Sequence, residues 1–268
     1  MNKVNWKLYQ GALLPDAPPH YEIELSQKEI QYLMKKFKPY FIRYCNEWDR
    51  GSGEFWYVIK DEKEDLNKYK AKVRYQIKKG LKNCRVEKVD NKYIADNGYE
   101  VYQEAFKNYN TFLQPISKNK FQNSLINVEG DFFGVFYEND LIAYAQNFLQ
   151  ENVCNYSTIK LHPSFLKYYP SYALIYEMNR YYLNEKNFLY VSDGARSLSH
   201  QTKIQDFLIQ KFKFRKAYCR LNVLYRKDIE MLVKILYPFR KRIYKSNNKI
   251  LQKIAVVLKH EEIRKSYD

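Results

Sequence analysis

The residues able to move protons or hold an ion come first. Four histidines (His20, His162, His200, His260) and four cysteines (Cys45, Cys84, Cys154, Cys219) lie far apart, with no Cys-x-x-Cys pair. Zinc needs ligands in paired clusters, so no metal site is expected. The thiols read as reduced and buried, Cys154 and Cys219 inside strand-like runs. Two carboxylates stand out as general bases: Asp193, in Ser192-Asp193-Gly194, and Glu129, just ahead of a hairpin pattern. Asp193-Gly194 equally fits a turn, and Glu129 an exposed loop. His162 and His200 can relay protons. Arg196 and Ser197, beside Asp193, suit an anionic group such as a nucleotide-sugar phosphate, although an Arg196–Asp193 ion pair fits the same spacing.

The charge is concentrated. The 268 residues carry 46 Lys and Arg against 30 Asp and Glu, a net +16. Residues 66–82 hold seven of the basic residues and no acid, and residues 232–265 hold ten with only Glu261 and Glu262. Nearly all the excess lies in these two windows, and both have helical patterning. Leu66, Tyr69, Val73, Ile77 and Leu81 recur at steps of three and four, as do Ile250, Leu251, Ile254, Val257 and Leu258. A solvated basic face explains this, and so does a surface for phosphates, RNA or anionic lipid. Hydrophobic residues make up 46% and aromatics 17%, with 27 tyrosines, which excludes a disordered chain. Mean hydropathy is −0.65. No apolar run approaches the roughly 20 residues of a membrane span. Residues 1–7 lack the apolar stretch of a secretory signal. A cytoplasmic chain is therefore expected, with a peripheral place at the inner membrane face if the basic tail meets lipid.

Elements that would position these residues follow from periodicity and breakers. Residues 13–19, rich in Pro, predict a loop, and 27–45 a helix with Ser26 as its cap. Strands are predicted over 55–59, 84–89, 132–137, 141–149, Val153–Leu161, 188–191 and 214–225. The pair 132–137 and 141–149 forms a hairpin turning at 138–140. Helices are predicted over 66–82, ending near Gly80, and over 98–109, Lys118–Ile126, 171–185 and 203–211. From residue 84 the order is β-α-α-β-β-β-α-β-α-β.

That order resembles the GNAT superfamily of N-acyltransferases, and its look is similar to the FemAB-like branch. Three stretches carry the resemblance: the basic segment 69–81; Leu141-Ile142-Ala143 after the turn residue Asp140; and 201–217, a polar residue opening a helix that leads into the last strand. It covers residues 83–225, which implies an α/β fold: a mixed central sheet flanked by helices, with an N-terminal extension over 1–82 and a basic amphipathic helical tail over 226–268. It also implies that Val153–Leu161 splays from the strand at 188–191, leaving a bare strand edge to pair with the pantetheine arm of acyl-CoA. The loop opening the next helix would face the pyrophosphate. Residues implied to touch the donor are Leu161, Lys167, Tyr168, Tyr169, Ser171, Gln201 and Gln205.

Departures from the pattern are also legible. Pro170 and Tyr172 stand where the family's loop has small residues, Lys213 replaces a glycine before Phe214, and Ile209 falls where many members keep a proton-donating tyrosine. The tyrosines at 168, 169, 172, 176, 181 and 182 suit stacking on a sugar or base, or core packing.

The expected function is an N-acyltransferase moving an acyl group, acetyl first of all, from acyl-CoA to an amine of an amino sugar or cell-surface polysaccharide precursor. Asp193, Glu129 and His162 would handle protons, and Arg196 and Ser197 would hold the acceptor. Two alternatives stay open. One is a FemAB-like transferase using aminoacyl-tRNA. The other is a non-catalytic RNA- or lipid-binding protein, with residues 232–265 against an anionic membrane.

Overall fold

A computed structural model describes residues 4–108, 114–198 and 203–267 of the chain. In chain order the elements are β1 (Asn5–Tyr9), β2 (Ala12–Asp16), α1 (Gln27–Phe37), β3 (Phe41–Arg50), β4 (Trp56–Lys60), α2 (Ala71–Asn83), β5 (Arg85–Val89), α3 (Asn91–Asn97), α4 (Tyr99–Lys107), α5 (Lys118–Ile126), β6 (Asp131–Tyr137), β7 (Asp140–Gln150), β8 (Val153–Leu161), α6 (Pro170–Asn179), β9 (Tyr190–Ala195), α7 (Lys203–Phe212), β10 (Arg215–Tyr225), α8 (Lys227–Leu236), α9 (Arg240–Tyr244) and α10 (Lys249–Lys265). They form two compact units. One gathers Met1–Val58, Ala195–Lys203 and Lys216–Asp268, the other Ile59–Gly194 and Ile204–Arg215. The expected linear division at residues 82 and 225 differs from this, because the N-terminal strands and C-terminal helices share one core.

In the first unit the strands run β1-β2-β3-β10. β1 and β2 form a hairpin whose two turn residues, Gln10 and Gly11, both have positive φ (49° and 83°), the backbone a tight two-residue turn demands. The expected loop over 13–19 is thus corrected: Leu13–Asp16 belongs to a strand. Pro15 pairs only toward β1, opposite Trp6, so its missing N–H costs no bond to β3. The expected helix 27–45 is corrected as well. Ser26 and Glu29 cap its start reciprocally, but Lys38 turns left-handed (φ 48°) ahead of Pro39. A residue before proline resists the helical region, and the chain continues as β3. Phe41, Cys45, Phe55, Cys219, Leu221 and Ile263 share one core cluster; Val233, Ile243, Ala255 and Leu258 tie α8, α9 and α10 together. Of the apolar stripe expected on α10, Leu258 is buried and Ile250 is exposed.

In the second unit the strands run β9-β8-β7-β6-β5. β5 through β8 are antiparallel, and β8 and β9 are parallel. α6 is almost wholly buried, and α2 approaches it so closely that a Cβ on Gly80 would lie 2.7 Å from the Tyr169 carbonyl oxygen. α3, α4 and α5 pack through Ile94, Val101, Phe121 and Leu125 against Phe132 and Tyr144. Three expected boundaries move. The basic helix begins at Ala71, after a separate 3₁₀ turn at Leu66–Lys68. α6 passes at Arg180 into a wider-wound π turn, Arg180–Glu185. The strand expected at 188–191 is Tyr190–Ala195, which puts Asp193 inside a strand instead of in a turn. Among the described residues no helix is long and apolar enough to cross a membrane.

Candidate active site

The parting of β8 and β9 defines the site. The two strands pair only at Val153–Tyr190, Cys154–Val191 and Asn155–Ser192. Both then run on, β8 to Leu161 and β9 to Ala195, without further pairing to each other. At the same place β8 carries a bulge: Thr158 pairs with Gln146 and Tyr156 with Asn147, so Ser157 is an extra residue with no opposite number on β7. A bulge bends its strand and re-aims its peptide groups. Tyr156 and Asp193 occupy the first positions beyond the last pair, one on each side of the gap. The gap opens toward the carboxyl ends of two parallel strands, the usual seat of ligands in α/β sheets. Along it half-buried β8, Thr158 to Leu161, pairs with β7 on one side and not with β9 on the other, an edge suited to an extended donor or to polarising a carbonyl.

Asp193 is half-buried, and burial pushes its carboxyl up to about 7, partly offset by a hydrogen bond from Gln205 of α7. Gln205 Nε2 also donates to the Asp193 carbonyl oxygen at 3.3 Å. A carboxyl titrating near neutrality is matched to general-base work. Gln205 therefore holds the base.

A buried polar chain backs Tyr156. Its hydroxyl donates to Asn179 Oδ1 at 2.8 Å, and Asn179 Nδ2 donates to Glu64 Oε2 at 2.8 Å. Glu64 lies 3.9 Å from Lys60 Nζ, which donates to the Phe212 carbonyl oxygen at 3.2 Å. Burial lowers the Lys60 pKa and raises that of Glu64, each only partly opposed by the other's charge. None of these four residues stood out in the sequence. The one available signal was two charges four apart, Lys60 and Glu64, running out of an apolar strand.

At the far end of β8, Leu161 pairs with Ala143, and His162 caps the short 3₁₀ helix Pro163–Tyr168, its Nδ1 accepting from the Ser164 N–H at 3.3 Å. Six residues separate His162 from Tyr156, about 20 Å of extended strand, so His162 stands apart from Asp193. Lys167 is exposed over the Tyr168 ring, which stacks on Tyr137 at 4.2 Å. Tyr169 is left-handed (φ 61°) and heads α6, with the Lys79 ammonium 5.4 Å from its ring centroid. The amides there are largely engaged: Tyr169 N–H bonds to Leu166, and those of Tyr172 and Ala173 to the Tyr169 carbonyl. Pro170 has none. Ser171 is half-buried, and the Tyr172 ring packs inward on Phe207 and Phe212.

Other expected residues lie elsewhere. Glu129 lines a hollow of about 530 Å³ with Lys88, Asp90 and Asn91. That hollow lies at the end of β5 and the start of β6, two strands away from β8. Arg196 does not pair with Asp193: in the first unit its Nη1 donates to the Glu54 carbonyl oxygen (2.5 Å) and carboxylate (3.1 Å), and its guanidinium covers Trp56 at 4.5 Å. Arg196 and Ser197 line a cavity of about 330 Å³ with Glu54, Tyr244, Lys259 and Glu262. Gln201 and His200 lie outside the described residues. All four cysteines are buried, and no cluster of three His, Cys, Asp or Glu side chains able to hold a metal occurs among the described residues.

No family model matches the sequence. No curated protein matches it either. Among solved structures, the chain is similar to FemX (10% identity, 86% of this chain and 85% of that one, TM-score 0.58). It is also similar to L-PGS from Bacillus licheniformis (11% identity, 97% of this chain and 85% of that one, TM-score 0.52). At such identities the likeness concerns the fold alone: a GNAT-like α/β fold with a mixed sheet flanked by helices.

Proposed function

We propose that this protein is an N-acyltransferase working in the gap between β8 and β9. The observation that carries the reading is the loss of pairing after Asn155–Ser192, with the bulge at Ser157 and the raised Asp193 carboxyl at the same place. In the step proposed, an amine nitrogen attacks the donor's acyl carbonyl carbon. The C–N bond forms as the bond to the leaving sulfur or oxygen breaks. Asp193 takes the amine proton and returns it to the leaving group, so no net proton is consumed. Backbone N–H groups at the bulge stabilise the oxyanion.

A thioester such as acetyl-CoA suits the edge of β8 that no longer pairs with β9. A second reading, an aminoacyl ester on tRNA, is favoured by the engaged amides and Pro170 at the start of α6, which leave little for a pyrophosphate, and by the basic helix α2 beside Tyr169. For the acceptor, the amine of an amino sugar is the class proposed, with Asp193 as the group that takes its proton. The test is turnover of acetyl-CoA, followed as free thiol, and of aminoacyl-tRNA, followed as deacylation, each with a panel of amino sugars. Acceptor-dependent release from one donor is expected. Release from neither, by folded protein, would contradict the reading.

A further inference from the structure

The C-terminal helices expose an unusual combination of side chains. Met231 (61% exposed), Leu232 (49%), Ile235 (58%) and Phe239 (54%) project from α8 and the turn that follows it, and Ile250 (69%) from the first turn of α10. Met231 and Ile235, spaced by four on α8, share one face, and Phe239 follows in the 3₁₀ turn after it. The other face of α8, through Val233 with Ile229 and Leu236, already fills the core it shares with Ile243, Ala255 and Leu258. The outer apolar row is therefore surplus to folding. Around it, residues 231–253 contain seven Lys or Arg and no acid, with Lys234 paired to Glu230 and Arg240 to Glu262 from outside that stretch. Lys241 and Arg242 line a shallow hollow of about 330 Å³ with Pro238 and Phe239, placing two cations beside the exposed Phe239 ring.

We infer that this face docks on an anionic lipid bilayer, the apolar row entering the headgroup boundary and the cations meeting lipid phosphates. A nucleic acid would use the cations but has no use for exposed Met, Leu and Ile side chains. A second copy of this chain would bring a strongly basic face against its own. Lipid satisfies both halves of the pattern. The inference does not depend on the acyl-transfer reading, because it is measured by binding alone.

The test is sedimentation of the full chain with vesicles of pure phosphatidylcholine and with vesicles that also contain phosphatidylglycerol. Binding is expected only to the second kind, weakening as salt rises. Each cation that meets the surface strengthens partitioning by about fivefold, so Lys241→Gln with Arg242→Gln is expected to weaken it by about twenty-five-fold. Ile235→Asp with Phe239→Asp is expected to abolish it while leaving the melting temperature unchanged, since both side chains are exposed. Three results would overturn the inference: no binding to phosphatidylglycerol vesicles; binding that Ile235→Asp with Phe239→Asp leaves intact, as an RNA contaminant or purely ionic contact would; or a concentration-dependent dimer that those substitutions disperse. If the double aspartate variant misfolds, Phe239→Ser alone gives the same reading with a smaller loss.

Discussion

The Tyr156 hydroxyl donates to Asn179 Oδ1 at 2.8 Å from the first β8 position beyond the last pair with β9. The strand is thus pinned from beneath at the point where it leaves its neighbour. The pin continues through Glu64 to Lys60, a charge pair with almost no solvent contact.

Removing one member of that pair strands the other charge in the core. Lys60→Met or Glu64→Leu alone is expected to destabilise the fold by about 3–5 kcal/mol. The double substitution is expected to recover most of the loss. Urea unfolding of the three variants measures this, and additive losses in the double variant would show that the two charges act separately.

Asp193→Asn separates chemistry from stability. Loss of a general base is expected to lower turnover by about a hundredfold or more. Its raised pKa also sets a sign for stability: the folded state holds the Asp193 proton more tightly than the unfolded chain does. That contribution is complete below the ordinary carboxylate range and is lost as pH rises toward about 7. At pH above 7 the neutral asparagine is therefore expected to melt no lower than the parent. In the parent, kcat/KM is expected to rise with pH and level off above about 7. Equal loss of activity and melting temperature would make Asp193 a structural residue.

Lys213 ends α7 with φ 58°, the left-handed cap conformation that favours glycine. Lys213→Gly is expected to stabilise the fold by about 1 kcal/mol, since the left-handed conformation costs a side-chain-bearing residue roughly that much. Thermal unfolding reads it directly, and a lower melting point would mean that the lysine side chain contributes more than its backbone strain costs.

His260 sits in the core of the first unit, its Nδ1 2.8 Å from the Val256 carbonyl oxygen and its Nε2 3.1 Å from Arg43 Nη1. A neutral ring satisfies both, donating to the carbonyl and accepting from the guanidinium. Burial, with the Arg43 charge, pushes its pKa down to about 4. A histidine held neutral in the fold contributes stability above its ordinary range, and that contribution is lost as pH falls from about 6.5 to 4, while the unfolded chain takes up the proton first. The urea midpoint is expected to drop across that interval, and His260→Leu to flatten the drop. An unchanged slope in His260→Leu would assign it to other groups.

The core of the fold was readable because its signals are local. The strand predicted over Val153–Leu161 and the helix predicted over Lys118–Ile126 have the bounds observed for β8 and α5. Lys213, where the family pattern has a glycine, proves to be left-handed. What escaped depends on distant partners. β1 and β2 lack strong alternation and exist because β3 supplies an edge. β3 looked like the continuation of a helix until Pro39 is weighed against Lys38. α3 went unseen, although Asp90 caps it by accepting from the Tyr93 N–H. At the site, Asp193 was legible as a carboxylate beside glycine, but its raised pKa comes from burial that only packing creates. Tyr156, Asn179, Glu64 and Lys60 are spread over more than one hundred residues of sequence, and nothing in their spacing joins them.

Amide hydrogen exchange along β8, with and without donor, tests the central claim most directly. In the free protein Tyr156–Leu161 is expected to exchange faster than Val153–Asn155, which is paired on both sides. Saturating acetyl-CoA or aminoacyl-tRNA is expected to slow exchange in Tyr156–Leu161 and around Asp193, and Asp193→Asn should retain that protection while losing turnover. Protection of Tyr156–Leu161 equal to that of Val153–Asn155 in the free chain, or exchange there indifferent to both donors, would contradict acyl transfer in this gap.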